Sequence, residues 1–188
     1  MLTLGVDPGT RHLGWGLVKR NGSRVVHVAH GVIDLDARQP LAVRLRRIDE
    51  RLGALIEEYR PDVGSVETLF FFKDASAAAK LGHARGVVLA ALARYDVAVA
   101  EYAPAHVKRT IAGRGQATKD QVARMVTALL ALDAPPRSDA ADALALALTH
   151  LRAAHGGAPL SSGGNRGGGK ARLRAIIAER GRRQGQGR

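Results

Sequence analysis

Leu2-Thr3-Leu4-Gly5-Val6-Asp7-Pro8-Gly9-Thr10 is the stretch that decides the fold. A short apolar run stops at an acid and a Pro-Gly pair follows, so a strand delivers Asp7 into a turn. Pro8 suits the second position of a type II turn and Gly9 the positive φ of the third, which would hold the carboxylate rigidly. Outward from this point, Leu13 to Val18 and Arg24 to Leu35 are clusters of β-formers, which predicts an antiparallel meander of three strands.

From Pro40 to Tyr59 the apolar residues Leu41, Leu45, Ile48, Leu52, Leu55 and Ile56 recur at helical spacing, with Pro61 just beyond. Asp62 to Glu67 then forms a fourth strand, Ala75 to Tyr95 a second helix and Val97 to Tyr102 a fifth strand. Helices follow at Ala105 to Ile111, Thr118 to Leu132 and Ser138 to Ala154. The order βββαβαβααα predicts an α/β fold, a mixed sheet with helices on both faces.

The 188 residues fit one domain plus a tail, with a formal net charge of +12. More than half of that excess lies from Gly156 onward, where eight Lys or Arg stand against Glu179. Residues 1–155 therefore form the folded domain. Residues 156–188 form a Gly/Arg-rich basic tail whose glycine-rich beginning has too little apolar surface to order itself. The excess charge calls for an anionic partner. Aromatic content of 4% and the lack of a basic amphipathic segment disfavour a membrane surface, leaving nucleic acid. With no cysteine, disulfides and thiolate metal sites are excluded. No signal peptide or spanning segment is evident, so the expected location is the cytoplasm.

Four acids sit where acids are costly. Asp7 and Glu67 end apolar strands, while Asp139 and Asp142 open the run Ala-Leu-Ala-Leu-Ala-Leu. Each has an ordinary explanation: Asp before Pro-Gly opens turns, and first-turn Asp complements the helix dipole. Neither accounts for Asp142 among alanines. Spaced three apart, Asp139 and Asp142 share a helix face in its first turn, and adjacency of the first and fourth strands would bring Asp7 and Glu67 to the same edge. Carboxylates without His or Cys clusters favour Mg²⁺ or Mn²⁺. Two such ions per site would relieve the repulsion and hydrolyse a phosphodiester with water, with no covalent intermediate. The expected activity is that of a metal-dependent phosphodiesterase. Neither Ser65 nor Ser138 has the partner a nucleophile needs.

Other features surround this set. Phe70, Phe71 and Phe72 cannot all face one core, so one is a candidate for stacking on bases, with loop packing or a subunit contact as alternatives. Lys73 follows them as a candidate DNA contact. Trp15 reads as core. On the helix from Ala75, Gly82 and Gly86 permit close approach, either to the sheet or to a second subunit. Lys108, Arg114 and Lys119 flank the loop Gly113-Arg114-Gly115-Gln116 and suit a phosphate track.

Val-Asp-Pro-Gly-Thr-Arg-His-Leu-Gly-Trp-Gly at 6–16, Val-Glu-Thr-Leu-Phe at 66–70, Lys-Leu-Gly-His-Ala-Arg-Gly at 80–86, Tyr-Ala-Pro-Ala-His-Val-Lys at 102–108 and Asp-Ala-Ala-Asp-Ala-Leu-Ala at 139–145 together resemble the RuvC Holliday-junction resolvases. The resemblance covers residues 1 to about 155. It implies a ribonuclease H-like fold, a homodimer, and paired symmetric nicks in opposed strands of a four-way DNA junction during recombination and repair. The family's catalytic acids map onto Asp7, Glu67, Asp139 and Asp142, its junction-contacting aromatic onto Phe70 and its DNA-binding lysines onto Lys108 and Lys119. Some members carry His where Asp139 stands. The implied partners are the RuvA and RuvB branch-migration machinery.

Rivals from other classes are a ribonuclease H-like RNA-processing nuclease, a junction-binding protein without catalysis, and an actin-like or sugar kinase. The kinase needs a second domain that this chain lacks, and four intact acids count against a non-catalytic binder.

Overall fold

The computed structural model describes residues 1–68 and 75–156. Along the chain run β1 (Leu2–Asp7), β2 (His12–Asn21), β3 (Arg24–Asp34), α1 (Leu41–Tyr59), β4 (Val63–Glu67), α2 (Ala75–Arg94), β5 (Ala98–Tyr102), α3 (Pro104–Ala112), α4 (Lys119–Leu129) and α5 (Ser138–Gly156). The strands make one sheet in the order β3-β2-β1-β4-β5. Tight connections make the first three antiparallel, while crossovers through α1 and α2 make β1, β4 and β5 parallel. This is the mixed, helix-flanked sheet that the element order predicts.

The two faces are built differently. On one, Leu4, Val6, Leu13, Leu17 and Val66 of the sheet meet Ile48, Leu52 and Ile56 of α1 and Ala84, Val88 and Leu92 of α2. On the other, α5 lies across the sheet and is backed by Val107 and Ile111 of α3 and by Val122 and Val126 of α4. A Cβ placed on Gly5 would sit 1.9 Å from the Ala143 carbonyl oxygen, and one on Gly14 would sit 1.9 Å from that of Asp139. Bare glycine is what lets the helix backbone rest directly on strand backbone. Ser65, fully buried, donates its hydroxyl proton to the Leu146 carbonyl oxygen at 2.9 Å and so ties β4 to the same helix.

Three expectations change. Gly9 is not among the glycines with positive φ, which among the described residues are Gly22 and Gly113. It is required because a Cβ there would lie 2.0 Å from the His12 carbonyl oxygen; the turn after Asp7 is set by chain folding closely over itself rather than by type II geometry. Among the described residues nothing lies within 4 Å of where a Cβ on Gly82 or Gly86 would be, so they do not serve packing on the sheet. That packing is done by Ala84, Val88, Ala91 and Leu92. Trp15 is half-buried, its ring 6.4 Å from that of Tyr59 at the margin of the core. Phe70, Phe71, Phe72, Lys73 and the tail beyond Gly156 lie outside the described residues. Among the described residues no helix is long and apolar enough to cross a membrane.

Candidate active site

Strand parity aims the first two acids. Gly5 faces α5, and side chains alternate along a strand, so Asp7 two residues later faces α5 as well. Val6 pairs with Val66 in the parallel β1–β4 ladder, which puts Glu67 one residue on, beside Asp7 and on the same face. Across the antiparallel ladder Asp7 pairs with Gly14, the glycine on which the backbone of Asp139 rests. The first turns of α5 are therefore set beside Asp7 by backbone contact. Asp139 is in the first turn, and Asp142 follows in the next, not the first as the spacing alone suggested.

Asp7, Glu67 and Asp142 line one cavity of about 210 Å³, walled by Pro104, Val107, Val122 and Leu146. Asp139 is not part of that wall, although its charge reaches Asp7. Burial pushes the Asp7 carboxyl up to about 7, reinforced by the charges of Asp142, Glu67 and Asp139 and opposed by Lys119. Glu67 is raised too, mainly by burial and then by Asp142, with Lys119 and Lys108 acting against. The sign is that of like charges forced together in a poorly solvated place.

Lys119 is more intimate with this pocket than a phosphate track requires. Its ammonium donates to Asp142 Oδ2 at 2.8 Å, and its pKa is raised by that bond and by the nearby acids. A Thr118–Gln121 capping box fixes the first turn of α4, so Lys119 occupies the first helical position. A cation there opposes the helix dipole; the acidic pocket across from it supplies the compensation. Lys108, on α3, lines the same cavity. Arg114 does not: it is exposed, beside Gln121, Arg124 and Met125 in a separate shallow depression.

Two contributors are not apparent from the sequence. Arg85 on α2 donates from Nε to the backbone carbonyl of Glu67 at 3.2 Å and pairs with Glu101, bracing the strand end that carries the acid. Gly14 is the seat of the α5 backbone, and its only signal in the sequence is the set of three glycines at positions 5, 14 and 16 in adjoining strands.

Among the described residues no three His, Cys, Asp or Glu side chains are grouped closely enough to form a ready-made metal cluster. Repulsion between the acids and the Lys119–Asp142 bond both favour such a spread arrangement. The donor chemistry is all oxygen, and Asp7 and Glu67 resist ionising without a neighbouring cation; an all-oxygen donor set fits a hard divalent cation rather than zinc.

The family described as crossover junction endodeoxyribonuclease RuvC matches residues 3–150. A RuvC of Sorangium cellulosum is 61% identical over 164 residues, 87% of this chain and 92% of that protein. A RuvC of Myxococcus xanthus is 46% identical over 182 residues, covering 96% and 94%. Among solved structures, Thermus thermophilus RuvC in complex with Holliday junction substrate superposes with a TM-score of 0.77 at 39% identity, covering 82% of this chain and 94% of that one. The yeast mitochondrial resolvase Ydc2, at 14% identity and a TM-score of 0.57, shares the fold.

Proposed function

The chain belongs to the RuvC family of crossover junction endodeoxyribonucleases, and we propose that it resolves four-way DNA junctions at the pocket of Asp7, Glu67 and Asp142, with Asp139 beside it on α5. It is a nuclease of recombination and repair, in a metal-dependent family. The observation that carries the site assignment is the convergence of Asp7, Glu67 and Asp142, from three separated segments, on one cavity beside Lys108 and Lys119. That family membership also sets aside the RNA-processing and non-catalytic alternatives.

The four carboxylates would hold two Mg²⁺ or Mn²⁺ ions. Such ions activate water and stabilise the leaving oxygen of an in-line phosphodiester displacement. The protein's own part is electrostatic. Asp7 and Glu67, presented rigidly at strand ends, concentrate negative charge that a divalent cation relieves. Lys119 neutralises Asp142 in the metal-free pocket and is placed to turn toward a phosphate when Asp142 takes up a cation. Lys108 adds positive charge on the α3 wall, where it would orient the scissile phosphate. Water adds to phosphorus, the bond to the 3′ oxygen breaks, and no side chain is acylated or phosphorylated. Ser65, buried and committed to the Leu146 carbonyl, is not a rival nucleophile.

Paired cuts call for a homodimer. Gly82 and Gly86 of α2, which no described residue covers, support a second copy docking there. Phe70 and Lys73 are proposed junction contacts, as is Arg114, which is exposed and lies outside the acidic cavity. The tail would add general DNA affinity, so deletion after His155 is expected to weaken all DNA binding while junction preference survives. RuvA and RuvB are the proposed partners, and the cytoplasm the proposed location.

The deciding experiment offers a mobile four-way junction, a linear duplex and an RNA–DNA hybrid, each with and without divalent metal. Symmetric, metal-dependent nicking of the junction alone is expected; equal cutting of the hybrid would overturn the substrate assignment.

A further inference from the structure

On β3, away from the acidic pocket, the ladder with β2 slips: Leu17 pairs with Ala29 but Val18 pairs with His27, leaving Val28 unpaired. In an unbroken strand, residues three apart point to opposite faces. A bulge of this kind sets two residues against one and re-aims the side chains beyond it. Here it brings His27 and His30 side by side, Nε2 of the first 2.8 Å from Nδ1 of the second, with ring centroids 4.9 Å apart. Both are half-buried at the margin of an open cavity of about 760 Å³, whose facing wall is the α4–α5 loop with Asp133, Pro135 and Pro136.

Two neutral imidazoles in contact satisfy each other with a single shared proton. Once that proton moves to an outer ring nitrogen and the rings turn both lone pairs toward one point, the 2.8 Å separation has little to change: at metal–nitrogen bonds of about 2.0–2.1 Å, right-angled to tetrahedral ligands lie about 2.9–3.4 Å apart. Burial and the neighbouring His30 hold the His27 imidazolium below its usual range, which keeps a lone pair available. We propose that His27 and His30 form a two-nitrogen chelate for a borderline divalent transition-metal ion such as Ni²⁺ or Zn²⁺, clamping the two sides of the β3 bulge. Waters complete the coordination shell. Imidazole donors separate this site chemically from the all-oxygen pocket of Asp7, and it plays no part in strand cleavage.

The test titrates the untagged, chelator-treated full chain with Ni²⁺ in the presence of excess Mg²⁺, which masks oxygen sites. One equivalent should bind by calorimetry. His27→Asn and His30→Asn should each weaken it by about tenfold or more, since loss of even an outer-shell partner costs that much, while Mg²⁺-dependent junction cleavage stays unchanged. In the unsubstituted chain, Ni²⁺ should broaden the imidazole NMR signals of His27 and His30 before those of His12, His83 and His106. No Ni²⁺ uptake under Mg²⁺, or uptake that survives both substitutions, would overturn the proposal.

Discussion

The two faces of the sheet solve the same packing problem with opposite materials. Toward α1 and α2, branched side chains such as Leu52, Ile48 and Val66 fill the space between backbones. Toward α5 the approach is far closer: Gly5 and Gly14 lie under carbonyl oxygens, where the helix presents Ala140, Ala143 and Ala147, and Leu144 sits over Gly16. A side-chain layer can relax around a defect, as cores do. Backbone on backbone has only one register. The acids stand on the unyielding face, which suits chemistry that depends on carboxylates of different segments keeping their relative places.

The largest expected effect breaks this asymmetry directly. Gly14→Ala or Gly5→Ala forces a methyl into a backbone oxygen, so destabilisation at or above the usual overpacking cost of about 1–3 kcal/mol is expected. Whatever protein still folds should have lost junction cleavage, because α5 must lift and take Asp139 and Asp142 with it. Leu52→Ala on the opposite face should cost about 2–5 kcal/mol, yet cleavage per folded molecule should persist. Thermal unfolding alongside cleavage of a four-way junction separates the two behaviours. Equal retention of cleavage in the glycine and leucine variants would dissolve the distinction between the faces.

Next comes the pocket itself. Asp7→Asn should preserve junction binding and lower metal-dependent cleavage by about 10³-fold or more, at the upper end of losses for a central electrostatic group. Retained nicking would remove Asp7 from the active site. The same substitution should stabilise the metal-free protein at neutral pH, an opposite sign for folding and function that is expected where strain is kept for chemistry.

The pH dependence arises from the same group. Asp7 titrates near 7 when folded, against an ordinary value of 3.8, so between those limits the folded state holds a proton that the unfolded state has lost. Stability of the metal-free protein should therefore fall as pH rises from about 4 to about 7, by up to on the order of 4 kcal/mol if Asp7 acts alone. Glu67, also raised, adds in the same direction. Saturating Mg²⁺ should flatten the curve by binding the ionised acids of the native state. Denaturant unfolding across this range, with and without Mg²⁺, checks it, and a metal-free stability that climbs with pH would contradict the raised pKa.

How much of this is legible in the chain differs between the faces too. The periodicity of α1 and the apolar runs of β1 and β4 are properties of neighbouring residues, so the elements and their order can be read directly. Parity alone then aims Asp7 and Glu67 once β1 and β4 are adjacent. The α5 face is opaque because its information lies in what is missing. A glycine in a strand signals a turn, a bulge or a close neighbour with equal force, and only the fold chooses. Hence Pro8-Gly9 reads as a type II turn when the His12 carbonyl is the true constraint, and Gly14, even with Gly5 and Gly16 as its signal, does not say which backbone it meets. Lys119 is legible as basic but not as the partner of Asp142, since the two are 23 positions apart and on different helices.

The smallest effect distinguishes the two lysines at the pocket. Lys108→Ala removes a charge that acts on Glu67 through its field, so the expectation is weaker junction binding with a salt dependence shallower by up to ~0.9 in log–log slope. Lys119→Ala should do this and more. Without its ammonium, Asp142 loses its 2.8 Å hydrogen bond and the pocket loses its nearest cation. The metal-free protein should become less stable at neutral pH, whereas the concentration of Mg²⁺ needed for half-maximal cleavage should fall, because the divalent ion no longer competes with a resident positive charge. Lys108→Ala should leave that concentration close to its original value or lower it slightly. If the two variants shift Mg²⁺ requirement equally, Lys119 is only another phosphate contact and its bond to Asp142 has no part in how the pocket accepts a cation.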